Sequence, residues 1–410
     1  MEINAGDTAW VLASSALVLF MTPGLALFYG GMVRSKNVLA MLMQNFFAMG
    51  IVTVLWVLFG YSLAFGDFGN AGWIGNFDNV GLKDLTNGLT GTIPTLAFVA
   101  FQLTFAIITP ALITGAVADR MRWVAWVAFI VLWSIIVYNP VAHWVFAGGW
   151  LADRGALDFA GGTVVHINAG AAALALILVL GKRRGWPGEA MPPHSLPLTL
   201  LGTGILWFGW FGFNAGSALA ANLVAAQAFL NTFVAAAAAM VGWLIVERLK
   251  SGHATTLGAA SGAVAGLVAI TPCAGFVGGM SPVIIGLVTG AVCFLAIQLK
   301  FKFGYDDSLD VIAVHLVGGI LGSVAVGLFA DDAVNELAVD GLFLGGGASL
   351  LGEQILAVVV VAAFSFLVSY GIAVLLKTVL PGGIRVTEEE EYTGLDLTQH
   401  SETGYALERA

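Results

Sequence analysis

Residues 158–170 read DFAGGTVVHINAG, and residues 307–319 read DSLDVIAVHLVGG. Each stretch places a histidine, His166 or His315, eight positions after an aspartate and four before a glycine. Both histidines lie in strongly apolar runs. A titratable ring inside lipid-embedded helix is expensive to bury, so it faces a pathway or a partner. Two such rings in matching contexts, half a chain apart, point to one pathway built from two related halves.

Composition agrees with a membrane setting. Of 410 residues, 59% are hydrophobic and 10% charged, and the mean hydropathy is +0.92. A soluble domain carries about 25% charged residues. The chain therefore reads as an all-α polytopic membrane protein surrounded by a lipid bilayer. Its 53 glycines suit helices that pack closely in lipid. The net charge of −9 comes partly from an acidic tail and argues for no nucleic-acid partner. Cys273 and Cys293 are the only cysteines, and no CxxC pair exists. Inert core thiols are expected, with no metal, cofactor or disulfide framework. Residues 1–7 hold Glu2 and Asp7 and no basic residue, unlike a secretory leader.

A spanning helix needs about 20 apolar residues. Eleven segments qualify: 8–30, 40–65, 92–118, 123–146, 161–181, 197–217, 223–249, 255–276, 281–301, 308–330 and 349–377. Alternate connections carry Arg34, Lys36, Arg120, Arg122, Lys182, Arg183, Arg184, Arg248, Lys250, Lys300 and Lys302, and the tail adds Lys377, Arg385 and Arg409. Only Lys83 and Arg154 fall on the other side. The basic side is expected to be cytoplasmic, with the N-terminus outside and the C-terminus inside. Helices 1–5 and 6–10 then form an inverted repeat, since an odd unit re-enters the membrane upside down. Each histidine lies about 12 Å along its helix from its aspartate, at about 1.5 Å per residue. Both rings reach similar depth from opposite sides, at the repeat interface.

If the rings touch, both cannot be charged in a dry site without strong repulsion. A neutral pair can share one proton, one ring donating and the other accepting. The pair could hold a small polar molecule or relay a proton; the alternative is two unrelated buried rings, each bonded to backbone. His143, near a Pro140–Gly149 irregularity, reads as a histidine satisfying local backbone. Phe101 and Phe105 lie one turn apart and share a helix face. The stretch WFGWFGFNAGS supplies Trp207, Trp210, Phe211 and Phe213 before Ser217. These aromatics read either as an interfacial belt or as ring faces for a small cation. Asp158 reads as an N-cap for the groups near residues 160 and 161, or as an attraction for cations at an outer vestibule. Gly258, Gly262 and Gly266 form a packing face, within the bundle or between subunits. The tail from 381 turns polar, and Glu388 to Glu391 read as a solvated acidic run.

These residues resemble the ammonium transporter family (Amt/Rh), in its bacterial Amt branch, over nearly the whole chain. DFAGGTVVHINAG, WFGWFGFNAGS, GLALFYGGMVRSKN and EYTGLDLTQHSE carry the resemblance. It implies a homotrimer of eleven-helix subunits in the bacterial cytoplasmic (inner) membrane, each with its own pore. His166 and His315 resemble the family's twin pore histidines, and Phe105 and Phe213 its stacked gate. Phe101 and Ser217 match parts of the outer recruitment site, beside Trp210, and Asp158 matches the aspartate that supports it. Many bacterial members carry Trp where AHWVFAGG places Phe146, and a Phe face attracts a cation less than a Trp face.

The implied function is ammonium transport in nitrogen metabolism. The transporter recruits ammonium, or methylammonium, outside, strips a proton near the Phe gate and conducts ammonia past the histidines. Relay of the proton along the pair would make transport carry charge. No enzymatic activity is expected. Residues 1–380 would form the transport domain and 381–410 a cytoplasmic regulatory tail, resembling tails gated by a PII-type nitrogen sensor. The alternative is an ammonium sensor signalling through its tail; a 30-residue tail is too short for an independent signalling domain.

Overall fold

The structure, a computed structural model, describes residues 2–67 and 72–405. Its helices follow the hydrophobic runs: α1 Ala5–Met32, α2 Ser35–Phe65, α3 Thr95–Val117, α4 Trp123–Asp153, α5 Gly162–Leu180, α6 Leu196–Ala218, α7 Leu223–Ser251, α8 Thr256–Ile270, α9 Ser281–Phe303, α10 Ile312–Phe329 and α11 Ser349–Val379. Among the described residues, ten of these are long and apolar enough to cross a membrane. The exception is α8. It was expected over 255–276 but stops at Ile270, 15 residues long. Pro272 has no N–H to continue the ladder and disfavours helix at Thr271. The chain turns there instead, and the Pro272 carbonyl accepts the Phe159 N–H at 3.2 Å.

Burial sorts the helices by position. In the most apolar windows of α3 and α5, 83% of residues are buried, against 33% in α11. So α3 and α5 lie at the centre and α11 on the flank, where it packs on α5 and α10. Its polar residues fix it there: Gln354 donates to the Ser323 and Leu157 carbonyls, and the Ser365 hydroxyl donates to the Asn168 carbonyl at 2.7 Å. Hydrogen bonds of this kind join helices where lipid offers no hydrophobic drive.

The two opening motifs are built alike. Gly162–Ile167 and Ile312–Val317 are both π-helical, and each widened turn carries its histidine. Such turns cluster at functional sites. The helix starts are capped by the paired aspartates: Asp158 accepts from the N–H groups of Gly161, Gly162, Thr163 and Val164, and Asp307 from Ile312 at 2.7 Å. The glycines then let the helices cross. A Cβ on Gly170 would lie 2.6 Å from the backbone nitrogen of Leu316, which follows His315. A Cβ on Gly319 would lie 3.0 Å from Ile167, which follows His166. The reciprocal contacts bring the two histidines to one crossing point. The other glycine face is settled too. Gly258, Gly262 and Gly266 of α8 press on Glu247, Trp243 and Ala239 of α7, within the same chain.

One end of the bundle gathers the basic residues in a buried network. The Arg183 guanidinium pairs with Asp306 at 2.8 Å and lies 3.7 Å from Asp119, which also pairs with Arg34 at 3.0 Å. Arg120, fully buried, donates to the Gly181 and Asp306 carbonyls and to Ser308 Oγ. Arg409, counted in the charge pattern, lies outside the described residues. The tail folds across this end as α12 Glu388–Thr393 and α13 Leu395–His400. Here the solvated reading of the acidic run fails at its last residue. Glu391 is 1% exposed, because its carboxylate accepts from Arg385 at 2.7 Å and from the Arg184 N–H at 2.7 Å.

Candidate functional site

His166 and His315 meet inside the bundle, Nδ1 to Nδ1 at 3.3 Å, with ring planes 24° apart. Only one proton fits between two such nitrogens, so one Nδ1 donates and the other accepts. The outer nitrogens then differ as well: one Nε2 carries a hydrogen and the other a lone pair. His166 Nε2 is buried with no hydrogen-bond partner among the described residues. Both rings line a narrow internal cavity of about 10 Å³, with Met21, Leu25, Ile108 and Leu206 among its apolar walls. A volume of that size holds about one water-sized molecule.

Trp210 and Phe213 of α6 also line this cavity. Trp210 stacks on His166 at 5.5 Å between centroids, and its indole N–H donates to Thr271 Oγ1 at 2.9 Å. Phe213 lies 4.4 Å from Phe105, the closest pair in the series Phe105, Phe213, His166. Phe105 in turn lines a much larger cavity of about 660 Å³. The two rings therefore form a septum, one facing each space.

The larger cavity brings together Phe105, Phe146, Asp158 and Ser217. The Ser217 hydroxyl donates to the Phe213 carbonyl at 2.8 Å, which leaves its lone pairs as acceptors. Asp158 is engaged by its cap, which begins at Gly161 as expected and runs on to Val164, and by the Thr163 hydroxyl. Phe101 does not line this cavity; it is 1% exposed and packs edge-on to Phe105 at 4.9 Å. Trp144 and Trp150 do not line it either. They pack on each other and on Trp73, whose carbonyl accepts the Trp144 indole N–H at 2.7 Å. His143 bonds the Ala64 carbonyl at 3.0 Å, a backbone partner as expected but on α2 and not on its own helix end.

Sequence reasoning missed Gln102, Asp332 and Glu336, which share the larger cavity. Gln102 had a signal: a carboxamide in a spanning helix, next to Phe101. Asp332 and Glu336 had none, lying in the connection after α10, far in sequence from Asp158 and Ser217. With Asp158 they give the cavity three carboxylates and no Lys or Arg among the described lining residues.

An acceptor-lined, acidic cavity separated by two phenyl rings from an imidazole-lined passage suits a small cation that can lose a proton. The sequence profile of the Ammonium Transporter Family matches residues 9–405. The chain belongs to the ammonium transporter family. Among its members, the ammonium transporter of Mycobacterium tuberculosis (strain ATCC 25618 / H37Rv) is 54% identical, across 98% of this chain and 90% of that one. The ammonium transporter of Bacillus subtilis (strain 168) is 52% identical, across 98% and 99%. The crystal structure of Saccharomyces cerevisiae Mep2 superposes with a TM-score of 0.88 at 36% identity, across 94% of this chain and 91% of that one. A solved sensor Amt protein gives 0.89 at 32% identity, across 96% and 98%. Within this family the chain is a multi-pass membrane protein of the transporter class, not a family of enzymes.

Proposed function

We propose that the chain conducts ammonia after taking a proton from ammonium at the Phe105–Phe213 septum, the proton either returning to water in the larger cavity or passing along the His166–His315 pair. The observation that carries the reading is the His166–His315 pair in the narrow cavity directly behind that septum. Ammonium collects in the larger cavity, drawn by the charges of Asp158, Asp332 and Glu336, with Ser217 as acceptor and Phe146 as an aromatic face. Moving the intact cation into the apolar passage would cost on the order of ten kcal/mol without compensating groups. Neutral ammonia needs far less desolvation. It accepts from the Nε2–H of one imidazole and donates to the bare Nε2 of the other. Potassium is a cation of similar size with no proton to give, and the septum rejects it.

The same reading gives eleven spans with an inverted repeat of helices 1–5 and 6–10, the basic end cytoplasmic, and the larger cavity outside. Its support is the matched capping, π-helical turns and glycine crossings of α5 and α10. Residues 1–380 form the transport domain, 381–410 a cytoplasmic regulatory tail that a PII-type protein engages, and the unit is a homotrimer in the bacterial inner membrane. Exposed apolar faces on α6, α7, α9 and α11 suit lipid and sister subunits alike. The sensor reading is not taken up, since the relatives named transporters are 52–54% identical to this chain, against 32% for the sensor Amt protein.

The test is current across reconstituted membranes under ammonium and potassium gradients. Replacing His166 and His315 together with Ala is expected to lower ammonium current or its preference over potassium by about a hundredfold, as loss of a positioned polar relay does. Unchanged current with unchanged rejection of potassium would remove the pair from the mechanism.

A further inference from the structure

Beside the buried network at the basic end lies a second, separate pocket of about 200 Å³. Three parts of the chain build it: the α1–α2 turn with Arg34 and Lys36, the α5–α6 connection with Arg184 and Glu189, and the tail with Glu391 and Tyr392. The acid at its base is already satisfied. Glu391 accepts from Arg385 through one oxygen and from the Arg184 N–H through the other. Glu189 is exposed, its side chain folded back over Gly185.

The cations are not satisfied in the same way. Arg34 spends its Nε on Asp119, but its Nη2 is buried without a hydrogen-bond acceptor, 4.0 Å from Glu391. The Arg184 guanidinium lies 5.2 Å over the Tyr392 ring and the Lys36 ammonium 5.3 Å over it. Among the described residues, neither Lys36 nor Arg184 forms an ion pair with a carboxylate. A buried guanidinium N–H without an acceptor is costly to leave unmade. The Lys36 ammonium also donates to the Tyr392 carbonyl, so the tail's Tyr392 gathers two cations at the edge of this space without neutralising either.

We propose that this pocket binds a phosphoryl oxyanion through Arg34, Lys36 and Arg184. Donors that converge from three segments suit a tetrahedral group with several charged oxygens better than a planar carboxylate, which one Arg fork already fills. The space admits a phosphate with a small substituent. The source is either a soluble phosphate or the headgroup of an anionic lipid. Occupancy would bridge the tail to two helix connections at once.

The experiment uses the full chain and leaves ammonium transport aside. Inorganic phosphate is titrated against detergent-purified protein, with potassium chloride at matched ionic strength, and binding is read by phosphorus NMR and by the thermal unfolding midpoint. The variants are Arg184→Gln and Lys36→Gln, both outside the buried network. Wild type is expected to bind phosphate over chloride, and either variant to weaken it about tenfold. In a second arm, the same proteins are placed in bilayer discs of phosphatidylglycerol or phosphatidylcholine. Stabilisation by phosphatidylglycerol that Arg184→Gln abolishes, with no response to free phosphate, assigns the oxyanion to the lipid. If wild type and both variants respond identically to phosphate and to phosphatidylglycerol, the proposal is overturned.

Discussion

Phe146 shares the wall of the larger cavity with Ser217 and Phe105, at the position where the family resemblance leads one to expect a Trp. Neither Trp144 nor Trp150 takes over, because their rings are committed to Trp73. Phe146→Trp should therefore tighten cation recruitment. An indole face over a phenyl face adds about 0.5–1 kcal/mol at a partly solvated site, or roughly two- to fivefold in the ammonium concentration giving half-maximal current. An unshifted half-saturation in proteoliposomes would mean that the ring does not meet the cation. The histidine positions were legible in sequence because a titratable ring in a long apolar run is rare. Phe101 shows the limit of that logic. A shared helix face with Phe105 places it nearby, but whether it meets the cavity depends on α6 packing against it, at Gly216, which no local pattern encodes.

At the scale of elements, the Asp–His–Gly spacing turned out to be the plan of a helix crossing. The aspartate caps, the histidine sits in a widened turn, and the glycine admits the opposing backbone. The hydrophobic runs located the helices because lipid demands continuous apolar length, while the end of α8 followed a single proline instead. The connections were opaque, since ion pairs between distant segments leave no local trace. Asp306 is the clearest case. It precedes α10 yet holds Arg183, after α5, with three hydrogen bonds to its side chain and one to its backbone. Burial pushes the Asp306 carboxyl up, but the bond to Arg183 and the nearness of Arg120 outweigh it and hold the group below its ordinary range. A depressed carboxylate contributes stability that is complete above the unfolded value, about 4, and is lost as pH falls through the lower folded value. Asp306→Asn should thus cost about 3 kcal/mol at neutral pH by leaving buried guanidinium groups unpaired. The gap from wild type should begin to narrow as pH drops below about 4, where the unfolded carboxylate takes up its proton, and close as pH falls through the lower folded value. Thermal unfolding at several pH values checks this. A gap that stays constant down to the acid end would show that shape, and not charge, carries the contribution.

Across the whole molecule, the tail is the part that composition misdescribes. Four consecutive glutamates read as solvated; Glu388 and Glu389 are exposed and Glu390 half-buried, with Thr387 and Glu390 closing a capping box around the helix start. The fourth points inward because the helical turn directs it at Arg385 and at the Arg184 backbone. The tail is also held elsewhere: Asp396 accepts the Ala40 N–H at 2.8 Å at the start of α2, and Val386 donates to the Arg120 carbonyl at 3.0 Å. The charge asymmetry that sets the basic end apart is therefore the material from which that end is assembled. Arg34, Arg120, Arg183 and Arg184 join helix connections to one another and the tail to all of them. Glu391→Gln keeps the shape and removes the charge. It should weaken docking by about 2 kcal/mol, since a buried acceptor shared by an arginine and a backbone N–H is lost. Backbone amides over 385–400 should then exchange roughly thirtyfold faster, because they open locally, while those of α3, α5 and α10 keep their protection. Hydrogen exchange read by mass spectrometry separates these outcomes. Tail amides exchanging at the wild-type rate would mean that Asp396 and the backbone contacts hold the tail without Glu391. Faster exchange spreading into α5 would mean that the tail supports the pore helices as well as resting on them.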